Sequence, residues 1–562
     1  MARLFVLTAL LLTCAALPAQ PARLRGMWVD VFHDGIKNPF QVRALVERAK
    51  RAGVNALFIQ VRSRAQAYHN SAYEYRAPDA FPFFDGLAAV IREAHAANPP
   101  IQVHAWLNAH PLWWEKEPPI WPDHILFRHP DWLTQDPWGN KGTPVGYALD
   151  FGHPEVQDYL TRLYLEVVRK YDVDGIHFDF IRFGGAEWGY NPVSLDRFWA
   201  SLSAEQVREV RSRSERLAQL SAQTTRSGAT KENELFPGAS GSPKASLPFP
   251  AGMPAPDDPL FSDWRRQQVT ELVRRVTLQA KALRPNLIVS AAVVPWGDAP
   301  SKFEETAAYR RCFQDWRSWA REGTLDLLIP MLYFKESERG QWFRNWVAYC
   351  QNLKGGRTEI IAGIGNWLNS HDETLRQARL ADERLDGVCF YSYASTNPFP
   401  GMEAELFNEQ FYTRLAELAR AAAPRPKGPP PLAGVLTVSE TKGKLRTSFE
   451  ARMDSPFGFE IRAGKSSAAV APSIKAALAS KDPFLLLDAT VVLQVGNELR
   501  VTDGREEVTV RLPARADLPF LPRDRIAILG RSEGSSIRAE DVVWLGASAP
   551  DPVLAGTTTK PW

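Results

Sequence analysis

Tyr171-Asp-Val-Asp-Gly-Ile-His-Phe-Asp-Phe-Ile-Arg-Phe183 is the stretch on which the fold of this 562-residue chain turns. A short apolar run carries His177 and Asp179 two residues apart, then Arg182, and gives way to Gly184 and Gly185. Side chains two apart on a β-strand share a face. His177 and Asp179 then point one way, and Ile176, Phe178 and Phe180 the other. An acid at the carboxyl end of a buried strand is a common way for α/β enzymes to present chemistry. The plainer reading is an aspartate that caps the strand end or the next helix.

Outward from this stretch, strand-like and helix-like segments alternate. Strand patterns run over 24–31, 54–62, 101–108, 287–295, 325–334, 359–367 and 387–394. Helical periodicity follows over 39–52, 84–97, 154–171, 262–283, 307–322, 341–353, 373–385 and 403–422. With the opening stretch as fourth strand, this predicts an α/β fold, a (β/α)₈ TIM barrel over 21–423. A doubly wound open sheet is the alternative, but it has no reason to stop at eight strands. Residues 201–259 break the rhythm; rich in Ser, Ala, Gly and Pro after a charged start, they read as a low-complexity insertion with a flexible loop. A proline-rich linker, 424–432, leads into short alternating strands over 433–548. These predict a small C-terminal all-β domain, a barrel or sandwich akin to the oligonucleotide/oligosaccharide-binding fold, with nothing catalytic in it. Residues 549–562 read as a disordered tail.

A net charge of +3 makes no electrostatic case for nucleic acid or an anionic membrane. Met1–Gln20 reads as an export signal: Arg3 supplies the positive start, and Leu4–Leu12 is too short to span a bilayer. The expected location is periplasmic or extracellular, with simple secretion preferred to lipid anchoring at Cys14, and no later segment is apolar enough to cross a membrane. Cys312, Cys350 and Cys389 are scattered and form neither a disulfide framework nor a metal cluster. Cys389 reads as plain core.

In such a barrel the site is built from the carboxyl ends of the strands and the loops beyond. Those ends offer Trp28 and Asp30; Gln60 and Arg62; His104, Trp106 and Asn108; then His177, Asp179 and Arg182. The later strands add Trp296, Tyr333, Asn366, Trp367, Tyr391 and Tyr393. Aromatic rings cover the apolar faces of sugars while amides and guanidinium groups bond their hydroxyls, so this lining suits a neutral, hydroxyl-rich ligand. The chain has no His-Glu-x-x-His helix, serine elbow or phosphate-cradling glycine loop. Neither a metal nor a cofactor is expected; His104, His177 and Asp179 as metal ligands lack a His-x-His pair on the first strand. Glycoside hydrolysis normally needs two carboxyl groups. Asp179 is the first candidate. Asp30, Asp150, Glu187 and Glu336 compete as the second, with Glu336, beyond the sixth strand, favoured.

Arg25-Gly-Met-Trp-Val, Asn55-Ala-Leu-Phe-Ile-Gln-Val-Arg, His104-Ala-Trp-Leu-Asn, Leu149-Asp-Phe-Gly-His-Pro-Glu-Val, Asp174-Gly-Ile-His-Phe-Asp and Asp263-Trp-Arg-Arg occur in that order. Over roughly 23–420 the chain thus resembles the glycoside hydrolase family 10-like domain of bacterial envelope proteins. The resemblance implies a (β/α)₈ barrel, export, and hydrolysis of bacterial cell-wall or related glycans, for example peptidoglycan strands stripped of their peptides. The fourth strand is also similar to the chitinase family 18 signature Asp-Gly-x-Asp-x-Asp-x-Glu. Asp179 matches the assisting aspartate, but Ile181 stands where the acid should be, so an acid on this strand in the chitinase manner is excluded. The expectation is a secreted glycoside hydrolase acting by carboxylate acid/base catalysis on a polysaccharide. The alternative is a non-catalytic glycan-binding envelope protein.

Overall fold

The computed structural model describes residues 23–227, 249–396, 404–416, 418, 433–441, 444–452, 459–463, 469–495, 497–512, 520 and 524–547. The expected export signal, linker and tail lie outside the described residues. Eight parallel strands form a closed ring: β1 (Leu24–Val29), β2 (Ala56–Ser63), β3 (Gln102–Asn108), β4 (Gly175–Asp179), β5 (Ile288–Val293), β6 (Leu327–Pro330), β7 (Glu359–Gly365) and β8 (Gly387–Tyr391). β1 pairs with both β8 and β2, which closes the ring of eight and leaves none of its strands as an open edge. The TIM-barrel expectation holds.

Helices Pro39–Arg51, Gly86–His95, Pro154–Lys170, Pro259–Leu283, Trp316–Glu322, Glu336–Gln351, His371–Arg384 and Ala404–Leu415 follow the strands in turn. Their starts are written in the sequence. Asn38, Asp85 and Asp258 side chains accept N–H groups of the first turn, and Ser370 with Glu373 forms a capping box. Prolines 39, 154 and 259 occupy first-turn positions whose N–H has no intrahelical partner. The outer strand faces, such as Ile176 and Phe178, pack into the shell between strands and helices. The inner faces fill the barrel with Trp28, Phe58, Trp106, Ile329, Ile361 and Cys389. Room for those rings comes from glycines: a Cβ on Gly363 would stand 2.9 Å from the Trp28 ring, and one on Gly175 2.3 Å from His104.

At the amino-terminal rim one device repeats four times. Asn55, Asp174, Asp326 and Asp386 each immediately precede an even-numbered strand. Their side chains accept the N–H of Arg25, Val103, Val289 and Ile360 on the preceding strand, at 2.8, 2.8, 2.7 and 2.9 Å. Each backbone N–H returns a bond to the carbonyl of that same residue. The three aspartates also meet His95, Lys281 and Lys354 at 2.9, 2.7 and 3.0 Å. A two-bond clamp of this kind fixes the register of strands β1–β2, β3–β4, β5–β6 and β7–β8.

Three segments depart from the sequence reading. The described first part of the expected flexible insertion is helical, over Ala204–Ser227, after a helix Pro192–Ser201 that precedes it. Val210 of the insertion and Leu195 and Phe198 of the preceding helix pack with Phe261 and Trp264 of the next helix; residues 228–248 lie outside the described set. The helix expected over 307–322 breaks, because Phe313 takes a left-handed φ of 52°. That break lets Cys312 accept the Phe183 N–H and Gln314 tie Ile181 to Val294, bracing the loop beyond β4. Finally, the loop after β3 folds into a small antiparallel sheet, Pro111–Trp113, Gly142–Thr143 and Gly146–Ala148, beside the barrel mouth.

In the C-terminal segment, strands Phe484–Val495, Glu498–Thr502, Glu507–Arg511, Asp524–Glu533 and Ser536–Ala547 also close. The first pairs with the second and fourth, and the third runs parallel to the fifth. This is a five-stranded barrel with the strand order of the oligonucleotide/oligosaccharide-binding fold. On its second and third strands the outward positions are charge pairs, Arg500 with Glu507 and Arg511 with Glu498, without a ring on which a base or sugar could stack. Phe520 of this domain lies 4.3 Å under the Arg162 guanidinium of a barrel helix.

The clamps make a stability prediction. Asp326→Ala strands the buried Val289 N–H and should cost about 1–3 kcal/mol in chemical denaturation of the full chain. Asp326→Asn, which keeps an acceptor, should lose less. Equal losses would show that the hydrogen bond is not what matters at this position.

Candidate active site

The carboxyl ends of the barrel strands surround a cavity of about 540 Å³. Its floor is aromatic. The Trp28 ring stands edge-on to Tyr333 and Tyr391, with centroids at 6.3 and 6.2 Å, and those two tyrosines stack at 5.7 Å. Trp367 packs edge-on against both tyrosines at 5.1 and 5.4 Å. Trp106, Asn108, Gln60, Asp179 and Arg182 complete the polar side, and Phe32, Pro111 and Trp114 form the opposite wall. Gln60 uses its Oε1 to accept the Val31 N–H at 3.0 Å, while its buried Nε2 has no hydrogen-bond partner. Arg182 likewise keeps a buried Nη1 without a hydrogen-bond partner. Both side chains line the cavity, so each brings a donor group to its wall.

Asp179 ends β4 beside Asn108, its register partner on β3. Burial pushes its carboxyl above the usual aspartate range, against the pull of the Arg182 guanidinium and the Trp106 indole N–H. The Arg182 Nη1 stands 3.6 Å from Oδ1, too long for a hydrogen bond. Desolvation wins. The next residue, Phe180, takes a left-handed φ of 50°, a strained conformation for an aromatic residue. Its N–H donates to the Asp179 Oδ1 at 2.6 Å, and its ring lies 4.4 Å from the Arg182 guanidinium. Strand alternation predicts Phe180 on the outer face; because the strand stops at Asp179, its ring lines the cavity instead.

Below Asp179 on the same face, His177 sits inside the barrel, away from the cavity lining. Trp28 Nε1 donates to its Nε2 at 3.0 Å, which leaves the proton on Nδ1, 2.8 Å from Ser290 Oγ. Ser290 passes the chain on to the Ile176 carbonyl. Burial holds this imidazole well below its usual range, so it is neutral and structural. His104 lies deeper still, stacked on Phe58 at 4.6 Å. Neither histidine lines the cavity, where the sequence reading set them as sugar ligands; the alternation that aims them inward also places them one and two layers under the mouth.

Four further expectations are redirected. A bulge in β2 sets Gln60 opposite Trp106 but Arg62 opposite Leu107, whose side chain belongs to the helix-side shell. Arg62 therefore turns away from the cavity and pairs with Glu74 at 2.8 Å, with Tyr159 bonded to the same carboxylate. Tyr393 lies beyond the end of β8 and bonds Arg48 and Tyr412 on the helix side. Glu336 begins its helix instead of facing Asp179, and its carboxylate is held by Gln377 at 2.8 Å and Arg344 at 2.7 Å. Burial opposes ionisation, but those two bonds keep it below the usual glutamate range. Asp30 is similar: burial raises it, yet bonds from the ring and backbone of His33 bring it below the ordinary value. Asp150 caps a loop through Ser194 and Gly152, and Glu187 is raised by burial beside Trp188. Among the described residues, Asp179 is the one carboxyl lining the cavity. Among those residues no cluster of His, Cys, Asp and Glu is arranged to hold a metal.

Phe32 and Trp114 line the cavity without having been legible in the sequence. Phe32 follows Asp30 and sits where β1 has ended, so strand periodicity no longer points to it. Trp114 belongs to the 109–151 loop, whose fold has no periodic signature.

Fold and site together give a closed eight-stranded barrel with an aromatic mouth and a desolvated acid in its wall. The model of the glycosyl hydrolase-like 10 family matches residues 23–221 and 250–368, more than half of the chain, and the chain belongs to that family. It is similar to glycosyl hydrolase YngK of Bacillus subtilis, at 25% identity over 309 residues, covering 52% of this chain but only 48% of the relative. It is also similar to glycosyl hydrolase DigH of Escherichia coli K12, at 24% identity over 372 residues, covering 60% of this chain and 70% of the relative. The chain thus spans about half the length of the first of these. Among solved structures, the glycoside hydrolase domain of PgaB (BpsB) from Bordetella bronchiseptica aligns at 14% identity with a TM-score of 0.43, over 69% of this chain and 98% of that one.

The raised Asp179 carboxyl has a measurable consequence. Below the ordinary aspartate range it is protonated in both folded and unfolded chains, so Asp179→Asn changes no charge there. Above its raised folded value the wild type carries a charge that burial penalises. Asp179→Asn should therefore gain stability relative to wild type as pH rises through that window, read from denaturation midpoints at each pH. A difference independent of pH would contradict a desolvated carboxyl.

Proposed function

We propose that this protein hydrolyses O-glycosyl bonds of a polysaccharide: water bonds to the anomeric carbon as its bond to the glycosidic oxygen breaks, Asp179 donates the proton to that departing oxygen, and the proton that the water loses passes to solvent. The observation that carries this is the buried, raised carboxyl of Asp179 at the wall of an aromatic cavity. A general acid must hold its proton near the working pH, and burial is the ordinary way to raise a carboxyl for that task. Trp28, Trp106, Tyr333 and Tyr391 offer rings to the apolar faces of sugars, and Gln60 and Arg182 offer donors to their hydroxyls. Family membership and the likeness to glycosyl hydrolases YngK and DigH support a glycosidase. We further propose a bacterial cell-wall or related glycan as substrate, peptide-free peptidoglycan strands being the first to try, and a site of action outside the cytoplasm. The export-like stretch Met1–Gln20 and the resemblance to envelope proteins support that part.

Peptide-free peptidoglycan strands and chitin oligomers, incubated with wild type and Asp179→Asn, test the reading by chromatography of the products. The variant should lose about 100- to 10,000-fold in rate. Activity should fall as pH rises through the Asp179 value, because the ionised carboxylate has no proton to give. Arg182→Gln removes the cation that favours ionisation, so that alkaline limb should move to higher pH. Cleavage undiminished in Asp179→Asn would exclude the assignment. Binding without cleavage by wild type would leave the glycan-binding alternative.

A further inference from the structure

Two large rings at the mouth are left half in solvent. Phe32 is 47% exposed and Trp296 48% exposed. Phe32 lies beyond β1 and Trp296 beyond β5. In a closed barrel of eight strands, the first and fifth stand on opposite sides, so these residues belong to opposite rims of the mouth. Neither is a loose side chain. Phe32 packs against Trp114 at 6.1 Å, and both belong to the cavity wall. Trp296 covers the Arg182 guanidinium at 5.8 Å, whose cavity-lining side chain also contacts the Phe180 ring at 4.4 Å. Phe32 thus carries the cavity wall outward on one rim, and Trp296, through Arg182, extends it on the other.

A protein that leaves rings at both ends of its cavity exposes apolar surface that a ligand can cover on both sides of the reacting bond. A cavity of about 540 Å³ is the size that takes a drug-sized ligand, and so only a short stretch of a glycan. A longer chain must leave it, and the exposed rings of Phe32 and Trp296 give it apolar cover in two directions. We infer that a glycan polymer lies across the mouth, from the Phe32–Trp114 pair to Trp296, and is cut within the chain and not trimmed from an end. This rests on the glycosidase reading above and adds the binding mode and two outer sugar sites to it. Phe32 and Trp296 are positioning residues: they hold sugars that do not react and set which bond reaches Asp179.

Peptide-free peptidoglycan oligosaccharides of three and eight sugars, titrated into full-length Asp179→Asn, read the binding mode apart from the chemistry. The eight-sugar chain should bind several-fold tighter than the three-sugar chain. Adding Trp296→Ala or Phe32→Ala should each weaken the long chain about three- to tenfold, and Trp296→Tyr should recover most of it. Both side chains are half exposed, so their truncation leaves the barrel core intact. Wild type should release internal fragments from the eight-sugar chain at the earliest times. Equal affinity for both lengths, or products shed one unit at a time from one end, would overturn the inference. Length-dependent binding without cleavage by wild type keeps the crossing chain and removes the hydrolase reading; cleavage with length-independent binding does the reverse.

Discussion

The reciprocal clamp between each even-numbered strand and the one before it is the constraint that holds every other part of this molecule in place. A parallel strand pair slipped by one residue would turn its inward set outward. Here Asn55, Asp174, Asp326 and Asp386 bind both the donor and the acceptor of one residue on the neighbouring strand, and that pins four pairs. At Asp174 the effect reaches the site. Five residues beyond it, about 16 Å at the rise of an extended strand, Asp179 emerges on the inner face at the mouth. The His177 imidazole sits beneath it, locked between Trp28 and Ser290.

The chemistry follows from a contest between burial and charge. At Asp179 desolvation outweighs Arg182, because the guanidinium lies just beyond bonding distance and stacks between Phe180 and Trp296. At Asp30 and Glu336 burial loses, because direct donors reach the carboxylates: His33 for one, Gln377 and Arg344 for the other. Three acids around one barrel thus differ in proton affinity through their donors. Of the three, Asp179 alone is raised above its ordinary range, and it is the one facing the aromatic cavity.

The barrel was legible because strand and helix periods, proline starts and Asx caps all agree along the chain. Trp28, Trp106, Asn108, Asp179, Arg182, Tyr333 and Tyr391 were legible at the mouth for the same reason: regular strands carry the alternation to their ends. What failed to read were the places where that regularity stops. The β2 bulge turned Arg62 outward, the end of β8 released Tyr393, and the left-handed turn at Phe180 brought an outer-face ring inside. Glu336 failed differently, since reaching the correct rim says nothing about the neighbours that hold its carboxylate. The C-terminal segment read as all-β, but its closure depends on pairings between distant strands, such as Phe484 with Gly530, that no local pattern encodes.

A crystal structure of Asp179→Asn soaked with an eight-sugar, peptide-free peptidoglycan chain would decide whether this mouth is a glycosidase site. The expected result is sugar rings over Trp28, Tyr333 and Tyr391, with a glycosidic oxygen within about 3 Å of the side chain at position 179. A chain bound elsewhere on the barrel, or a cavity left empty at saturating sugar, would contradict it.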